Sequence, residues 1–238
     1  MVSAVILNSG ANPESITQFH DELANELPEL RGNWGFSFKI FRNNPYSIPS
    51  GQPDSEEVSK ETRFLHTLSP SYMNDLCICL INRRSVSVFT NMIDEEIGDL
   101  KFDTQIMTIP NGHLHKGAAT GLSDVFDKFA AQKLQSLWTL KQNVRGDGGS
   151  IYQLENGNLT IKTSNVFLHG IFKGLLVEVN VDDHIVESTS SEYLVELFDR
   201  IIIDYKIPKG KMCFELMDSE NPDELGDLCF QYSEILNF

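Results

Sequence analysis

The sequence predicts an α+β fold, a large antiparallel β-barrel-like sheet flanked by helices at both ends of the chain. Three observations carry this. Strand-forming runs crowd the middle, amphipathic helices with start signals lie towards both ends, and strands and helices do not alternate regularly, which argues against a parallel doubly wound sheet. A long antiparallel sheet of this kind is best accommodated by curling into a barrel with helices outside it. At 238 residues, 41% hydrophobic and 22% charged, the chain has enough apolar side chains for a sizeable core. The reading is one domain over 1–238, with a mobile surface insertion at about 44–62.

Ser3 to Asn8 reads as a short, largely apolar strand. Asn12-Pro13-Glu14 starts a helix: Asn12 caps free N–H groups, Pro13 suits the first helical position and Glu14 favours the positive dipole end. Ile16, Phe19, Leu23 and Leu27 recur on one face, and the helix stops near Pro28. Phe36, Phe38 and Ile40 alternate with Ser37, Lys39 and Phe41 as a half-buried strand. From Asn44 to Thr62 the pattern breaks, with Pro45, Pro49, Gly51 and Pro53 followed by Asp54, Glu56, Glu57, Lys60 and Glu61, the composition of a solvated insertion.

Phe64 to Leu68 is the next strand. Leu76 to Ile81 and Val86 to Thr90 flank Asn82-Arg83-Arg84 as a hairpin, and Gln105 to Ile109 adds another strand. A second helix starts at Ser123 or Asp124 with Phe126, Phe129, Ala130, Leu134 and Leu137 inward. Around Trp138 the period becomes that of a strand, and Gly146-Asp147-Gly148-Gly149 reads as a tight turn. Ser150 to Leu154 and Leu159 to Thr163 flank the clearest hairpin turn, Glu155-Asn156-Gly157-Asn158. Val166 to Leu168 and Leu175 to Val181 read as two more strands. Thr189-Ser190-Ser191-Glu192 has capping-box form ahead of a third helix with Leu194, Val195, Phe198, Ile201, Ile202 and Tyr205. Met212 to Leu216 reads as a short strand, and Asn221-Pro222-Asp223 starts a last helix carrying Leu225, Leu228, Cys229, Tyr232, Ile235 and Leu236.

Against 19 Lys and Arg stand 34 Asp and Glu, a formal net charge of −15. Such a surface repels DNA, RNA and anionic lipid, so the expected partners are proteins. Cys77 and Cys79 fall on one face of their strand as small core residues, and with Cys213 and Cys229 they suit an intracellular protein with reduced thiols. The start of the chain lacks a basic leader, and no run reaches the roughly 20 apolar residues of a membrane span.

Reactive constellations are sparse. His113 and His115 form an HxH pair without further ligands, and two solvent-facing histidines are the reading. The glycines at 146–149 lack the pattern and strand-to-helix setting of a phosphate cradle. The sharpest rival function is a metal-dependent phosphohydrolase working inside a barrel, which needs carboxylates sharing one strand face. Glu178 stands alone in Leu175-Leu176-Val177-Glu178-Val179; Asp182 and Asp183 point oppositely on a continuing strand; Asp54/Glu56 and Asp218/Glu220 lie in loop-like sequence. A third reading is a barrel that holds a small apolar ligand. The expectation is a protein without catalytic, cofactor or metal residues.

Several stretches, in order along the chain, resemble the Mediator complex subunit 20 family, the TATA-binding-related factors, and most of all its fungal members. They are Ser3-Ala4-Val5-Ile6 with the helix after it, Trp34 leading to Phe41-Arg42, Leu134-Gln135-Ser136-Leu137-Trp138 continuing to Arg145-Gly146-Asp147-Gly148-Gly149, Gly170-Ile171-Phe172-Lys173-Gly174-Leu175-Leu176-Val177-Glu178-Val179, and Gly226-Asp227-Leu228-Cys229-Phe230-Gln231-Tyr232. The resemblance implies an antiparallel barrel flanked by helices, a nuclear location and a place in the Mediator head module, which links regulators to RNA polymerase II. It implies pairing with Mediator subunit 18 and attachment through the C-terminal part of subunit 8. It identifies no interface residues. Trp138, Phe172 and Leu175 read as buried packing anchors and Lys173 as a solvated lysine.

Overall fold

The computed structural model describes residues 1–44, 62–73, 76–90, 118–119 and 126–238. Their strands are β1 (Val2–Asn8), β2 (Glu29–Asn43), β3 (Phe64–Pro70), β4 (Leu76–Ile81), β5 (Ser85–Thr90), β6 (Ala118–Ala119), β7 (Trp138–Leu154), β8 (Leu159–Leu168), β9 (Ile171–Val181) and β10 (Lys211–Cys213). The helices are α1 (Pro13–Ala24), α2 (Phe126–Lys133), α3 (Ser191–Asp204) and α4 (Glu224–Ile235). Hydrogen-bonded neighbours run β10-β1-β9-β8-β7-β2-β3-β4-β5-β6. The sheet is antiparallel apart from the short β6, which pairs parallel with β5. The α+β class and the large antiparallel sheet are therefore as the sequence reads. The sheet is open, with β10 and β6 as its end strands among the described residues, so "barrel-like" is a loose description.

By packing, the chain divides into two units, Met1–Ser37 with Val144–Phe238, and Phe38–Asn143. In the first, β1 and β9 pair in register from Val2 opposite Val181 to Asn8 opposite Leu175, and β9 pairs in turn with β8. One face carries Val2, Ala4 and Ile6 beside Val177, Val179 and Val181, and Leu159 and Ile161. It is covered by Phe19 and Leu23 of α1 and Leu194, Leu197, Phe198 and Ile201 of α3. The opposite face, through Ser3, Glu178, Asn180 and Lys162, meets α4. Alternation along each strand separates the oily set from the mixed one.

Asn12 caps α1 as read, its Oδ1 accepting from the Ser15 N–H at 2.8 Å. The helix ends at Ala24, before Leu27. Pro28 disfavours the helical region for Leu27, which sits at φ 51° and is 89% exposed instead of facing the core. Ser190, one residue later than the capping-box reading, caps α3, while Thr189 donates its hydroxyl to the Ser219 carbonyl. The last helix starts at Glu224, with Asp223 rather than Asn221 at its N-cap position. There Asp227 does the capping, accepting the Asp223 N–H at 3.0 Å and the Met217 N–H at 2.7 Å. The expected strand over Met212 to Leu216 is only Lys211–Cys213, because beyond it Glu215 gives its carbonyl to Gln231 of α4.

The largest departure is at Gly146-Asp147-Gly148-Gly149, which is no turn. β7 runs straight through, and its pairing with β8 shifts register between Asp147 and Ser150, a β-bulge. Gly148 takes φ 60°, a conformation glycine adopts without strain. At Gly146 and Gly149 the reason is space: a Cβ on Gly146 would lie 2.1 Å from the Phe36 ring, and one on Gly149 2.5 Å from the Thr163 carbonyl oxygen. Likewise Val166 to Leu168 is not a separate strand but the end of β8.

In the second unit Phe41, Leu65, Cys77, Cys79 and Ala130 form a cluster, with Phe89, Phe126, Leu134 and Trp138 packed against it. Cys77 and Cys79 share a face, as read, with their sulfurs 3.9 Å apart. Lys39 of β2 holds Asp127 of α2 in a largely buried ion pair. Leu137, expected inward, is exposed because α2 ends at Lys133. Of the 44–62 segment, Asn44 and Thr62 are tied to Leu137 and Arg42. Residues 45–61 lie outside the described residues, as do Gln105 to Ile109 and the expected helix start at Ser123 or Asp124.

Two predictions follow from these packings. Gly146→Val drives side-chain carbon into the Phe36 ring and lowers stability in urea unfolding by about 3 kcal/mol, whereas Gly10→Ala, whose Cβ meets only Asn8 Oδ1 at 3.5 Å, changes little. His66 is buried, stacks on Phe38 at 5.9 Å and leaves Nδ1 without a hydrogen bond; burial and then the charge of Arg83 push its pKa down to about 4. Between pH 6.5 and 4 the unfolded chain binds a proton that the folded chain refuses, so stability falls as pH is lowered through that window, by on the order of 3 kcal/mol. Burial pushes the Asp227 carboxyl up to about 6, which acts in the opposite sense below that pH. The His66 share is therefore read as the difference between wild type and His66→Gln, with urea midpoints measured at pH 7 and 4.5.

Candidate functional site

The chemistry-bearing side chains that the fold gathers most tightly lie on the mixed face of the first unit. Lys162 of β8 and Glu178 of β9 are direct cross-strand partners. Glu178 is fully buried and Lys162 nearly so. The Lys162 ammonium donates to Glu178 Oε1 at 2.6 Å and to Asn180 Oδ1 at 2.9 Å. Tyr232 of α4 donates its hydroxyl to the other carboxylate oxygen, Oε2, at 2.7 Å. The residue before Tyr232 in the same helix, Gln231, accepts from the Ser3 hydroxyl at 2.8 Å and donates to the Ser3 carbonyl at 2.9 Å. Behind Tyr232 stands Phe36, edge to face at 5.2 Å, and behind Phe36 the bare backbone of Gly146. Trp34 completes the row, its indole N–H donating to the Thr163 carbonyl at 2.9 Å.

This arrangement ties strand to helix inside the chain. A carboxylate already paired with an ammonium and hydrogen-bonded by a phenol is not available to a metal ion, and a buried pair persists only when its charges are matched and hydrogen-bonded. Among the described residues no group of three or more His, Cys, Asp or Glu side chains could hold a metal. Asp182 accepts the His184 N–H in a turn, Asp183 pairs with the Met1 amino group, and Asp218 accepts the backbone N–H of Glu220, which holds its carboxyl below the usual range. None of these three is brought to Glu178. Asp54, Glu56, His113 and His115 lie outside the described residues. The phosphohydrolase reading lacks support, and among the described residues the sheet does not close into the barrel that the apolar-ligand reading requires.

Outside this network, the β8–β9 hairpin ends in exposed apolar side chains. Ile171 is 64% exposed and Phe172 39%, against the burial expected of Phe172, and Phe172 packs edge-on against Phe167. Leu175 is buried as read, and Trp138 is half-buried against the second unit's cluster. Lys173 lies over the Phe238 ring at 5.7 Å instead of pointing freely into solvent.

The model of the family described as "TATA-binding related factor (TRF) of subunit 20 of Mediator complex" matches residues 1–237. The chain belongs to the Mediator subunit 20 family. It is 56% identical over 238 residues, all of both chains, to "Mediator of RNA polymerase II transcription subunit 20" of Debaryomyces hansenii, and equally so to that of Scheffersomyces stipitis. The Saccharomyces cerevisiae protein of the same description is 24% identical, with 98% of each chain covered. Family membership gives the stretches that resemble subunit 20 a physical meaning: the 145–149 run supplies the bulge and the space for Phe36, the 170–179 run supplies Glu178, and the 226–232 run supplies Asp227, Gln231 and Tyr232.

Lys162→Met strands the Glu178 carboxylate and costs about 3–5 kcal/mol in urea unfolding, while the double change Lys162→Met/Glu178→Leu recovers at least about half of that loss. A single variant as stable as wild type would show that the pair is not closed.

Proposed function

We propose that the chain is a non-enzymatic subunit of the Mediator head module, a nuclear transcription coactivator complex linking regulators to RNA polymerase II, and that it acts by protein–protein contact. The family match over residues 1–237 carries this reading. It spans both packing units, and we read 1–238 as one functional domain. Three physical features support it. The tightest charged cluster is committed to internal structure; the charge of −15 disfavours nucleic acid and anionic membranes; and aromatic and aliphatic side chains stand exposed at the end of a braced hairpin. No helix among the described residues is long and apolar enough to cross a membrane.

The partners of this reading are Mediator subunit 18, in a heterodimer, and the C-terminal segment of subunit 8, with other head subunits and the polymerase machinery reached indirectly. Subunit placement through rigid surfaces requires no reactive group, in keeping with a buried polar network that fixes shape. Co-expression with a subunit 18 protein yields a stable one-to-one complex on size-exclusion chromatography at micromolar concentration. Two folded proteins eluting separately would contradict the pairing.

A further inference from the structure

A second polar constellation lies away from the Glu178 network, where the β7–β8 turn approaches the end of α3. The turn residues Glu155, Asn156 and Gly157 all have positive φ, 51°, 57° and 101°. Glu155 faces Tyr205, whose hydroxyl donates to its Oε1 at 2.8 Å. Beneath this bridge is a half-enclosed pocket of about 240 Å³. Its lining mixes the apolar side chains of Leu159, Val181, Ile185, Leu197 and Ile201 with Glu155, Arg200, Asp204 and Tyr205.

Size limits the occupant. Small-molecule and cofactor sites usually span about 300–1,000 Å³, so this pocket is too small for a nucleotide and suits one aliphatic side chain. Charge decides the rest. Against Arg200 stand Glu155, Asp204 and Glu26, the carboxylates that bear on the Tyr205 hydroxyl. Apolar side chains beside a rim on which carboxylates outnumber the one arginine fit an aliphatic side chain with positive charge beside it.

We propose that this pocket docks a basic segment of a partner protein, seating one of its aliphatic side chains on Leu197 and Ile201 while neighbouring lysines or arginines meet Glu155 and Asp204. The proposal rests on the chain being a protein-binding subunit but not on which subunits it binds. Complex formation with a subunit 18 protein can succeed or fail whatever this pocket does.

The test is titration of the full ¹⁵N-labelled chain with the blocked peptide Lys-Lys-Leu-Lys-Lys, followed by amide chemical shifts. Saturable shifts are expected at Glu155 to Leu159 and Leu197 to Tyr205. Binding weakens by about fivefold or more with Lys-Lys-Ser-Lys-Lys, which lacks the aliphatic anchor, and similarly with Asp204→Lys, which reverses rim charge. Asp204 is exposed; if that variant nonetheless misfolds, Glu155→Gln serves in its place. Absence of saturable shifts at these amides would overturn the proposal. So would equal binding of the serine peptide, which would mean charge alone, or equal binding of Glu-Glu-Leu-Glu-Glu.

Discussion

A carboxylate with no access to water is the constraint around which the first unit is arranged. Glu178 lies on a strand whose neighbours are almost all aliphatic, and burying it unpaired would cost several kcal/mol. The fold meets that cost with an ammonium from the adjacent strand and a phenol from the last helix. Because the two donors come from elements far apart in sequence, the network also records that β8, β9 and α4 have all reached their places. A buried polar group satisfied from several sides specifies one arrangement more sharply than an oily contact that tolerates sliding.

Other features follow from that requirement. Tyr232 must stand upright over the sheet, so something must support its ring; Phe36 does so edge-on, and Phe36 fits only because residue 146 has no side chain. The bulge in β7 is thus part of the same device as the ion pair. The opposite face of the sheet needs no such precision: valines, leucines and isoleucines there pack under α1 and α3 by area and shape. Rigidity from one face and burial from the other leave a body whose outer surfaces can be given to partners. In a Mediator subunit without catalytic work, that is where the functional chemistry lies.

Much of this was legible in the sequence, and the gaps have identifiable causes. The α1 cap, the β4–β5 hairpin, the β7–β8 turn and the inward face of α4 follow from local periodicity and turn chemistry, as does that of α3 except that Val195 is exposed and Leu197 is buried. The continuous β7 was hidden because three glycines in four residues read as a turn, whereas here they answer to a φ at Gly148 and to neighbours packed against Gly146 and Gly149. Glu178 was visible as an acid on an oily strand, but its partner was not. Counting back from the β8–β9 turn sets Lys162 opposite Val177; the irregularity beside Lys173 shifts the register by one and brings Lys162 to Glu178. Gly174, at φ 147° and crowded by the Asn8 carbonyl, is the sequence mark of that irregularity. Tyr232 and Gln231 appear in sequence only as part of an apolar helix face; their polar ends acquire meaning from residues more than fifty and two hundred positions away. The pocket rim at Glu155 and Tyr205 is likewise a tertiary product, with no motif to announce it.

Native-state hydrogen exchange, followed amide by amide, tests most directly whether the Glu178 network unites helix and sheet. If it does, amides from Leu228 to Ile235 open only together with those of Leu176 to Val179, at one common free energy. Helix amides exchanging at least about tenfold faster than the strand amides, a gap of about 1.4 kcal/mol, would mean that α4 detaches while the sheet stays folded, and that the buried carboxylate does not bind them into one unit.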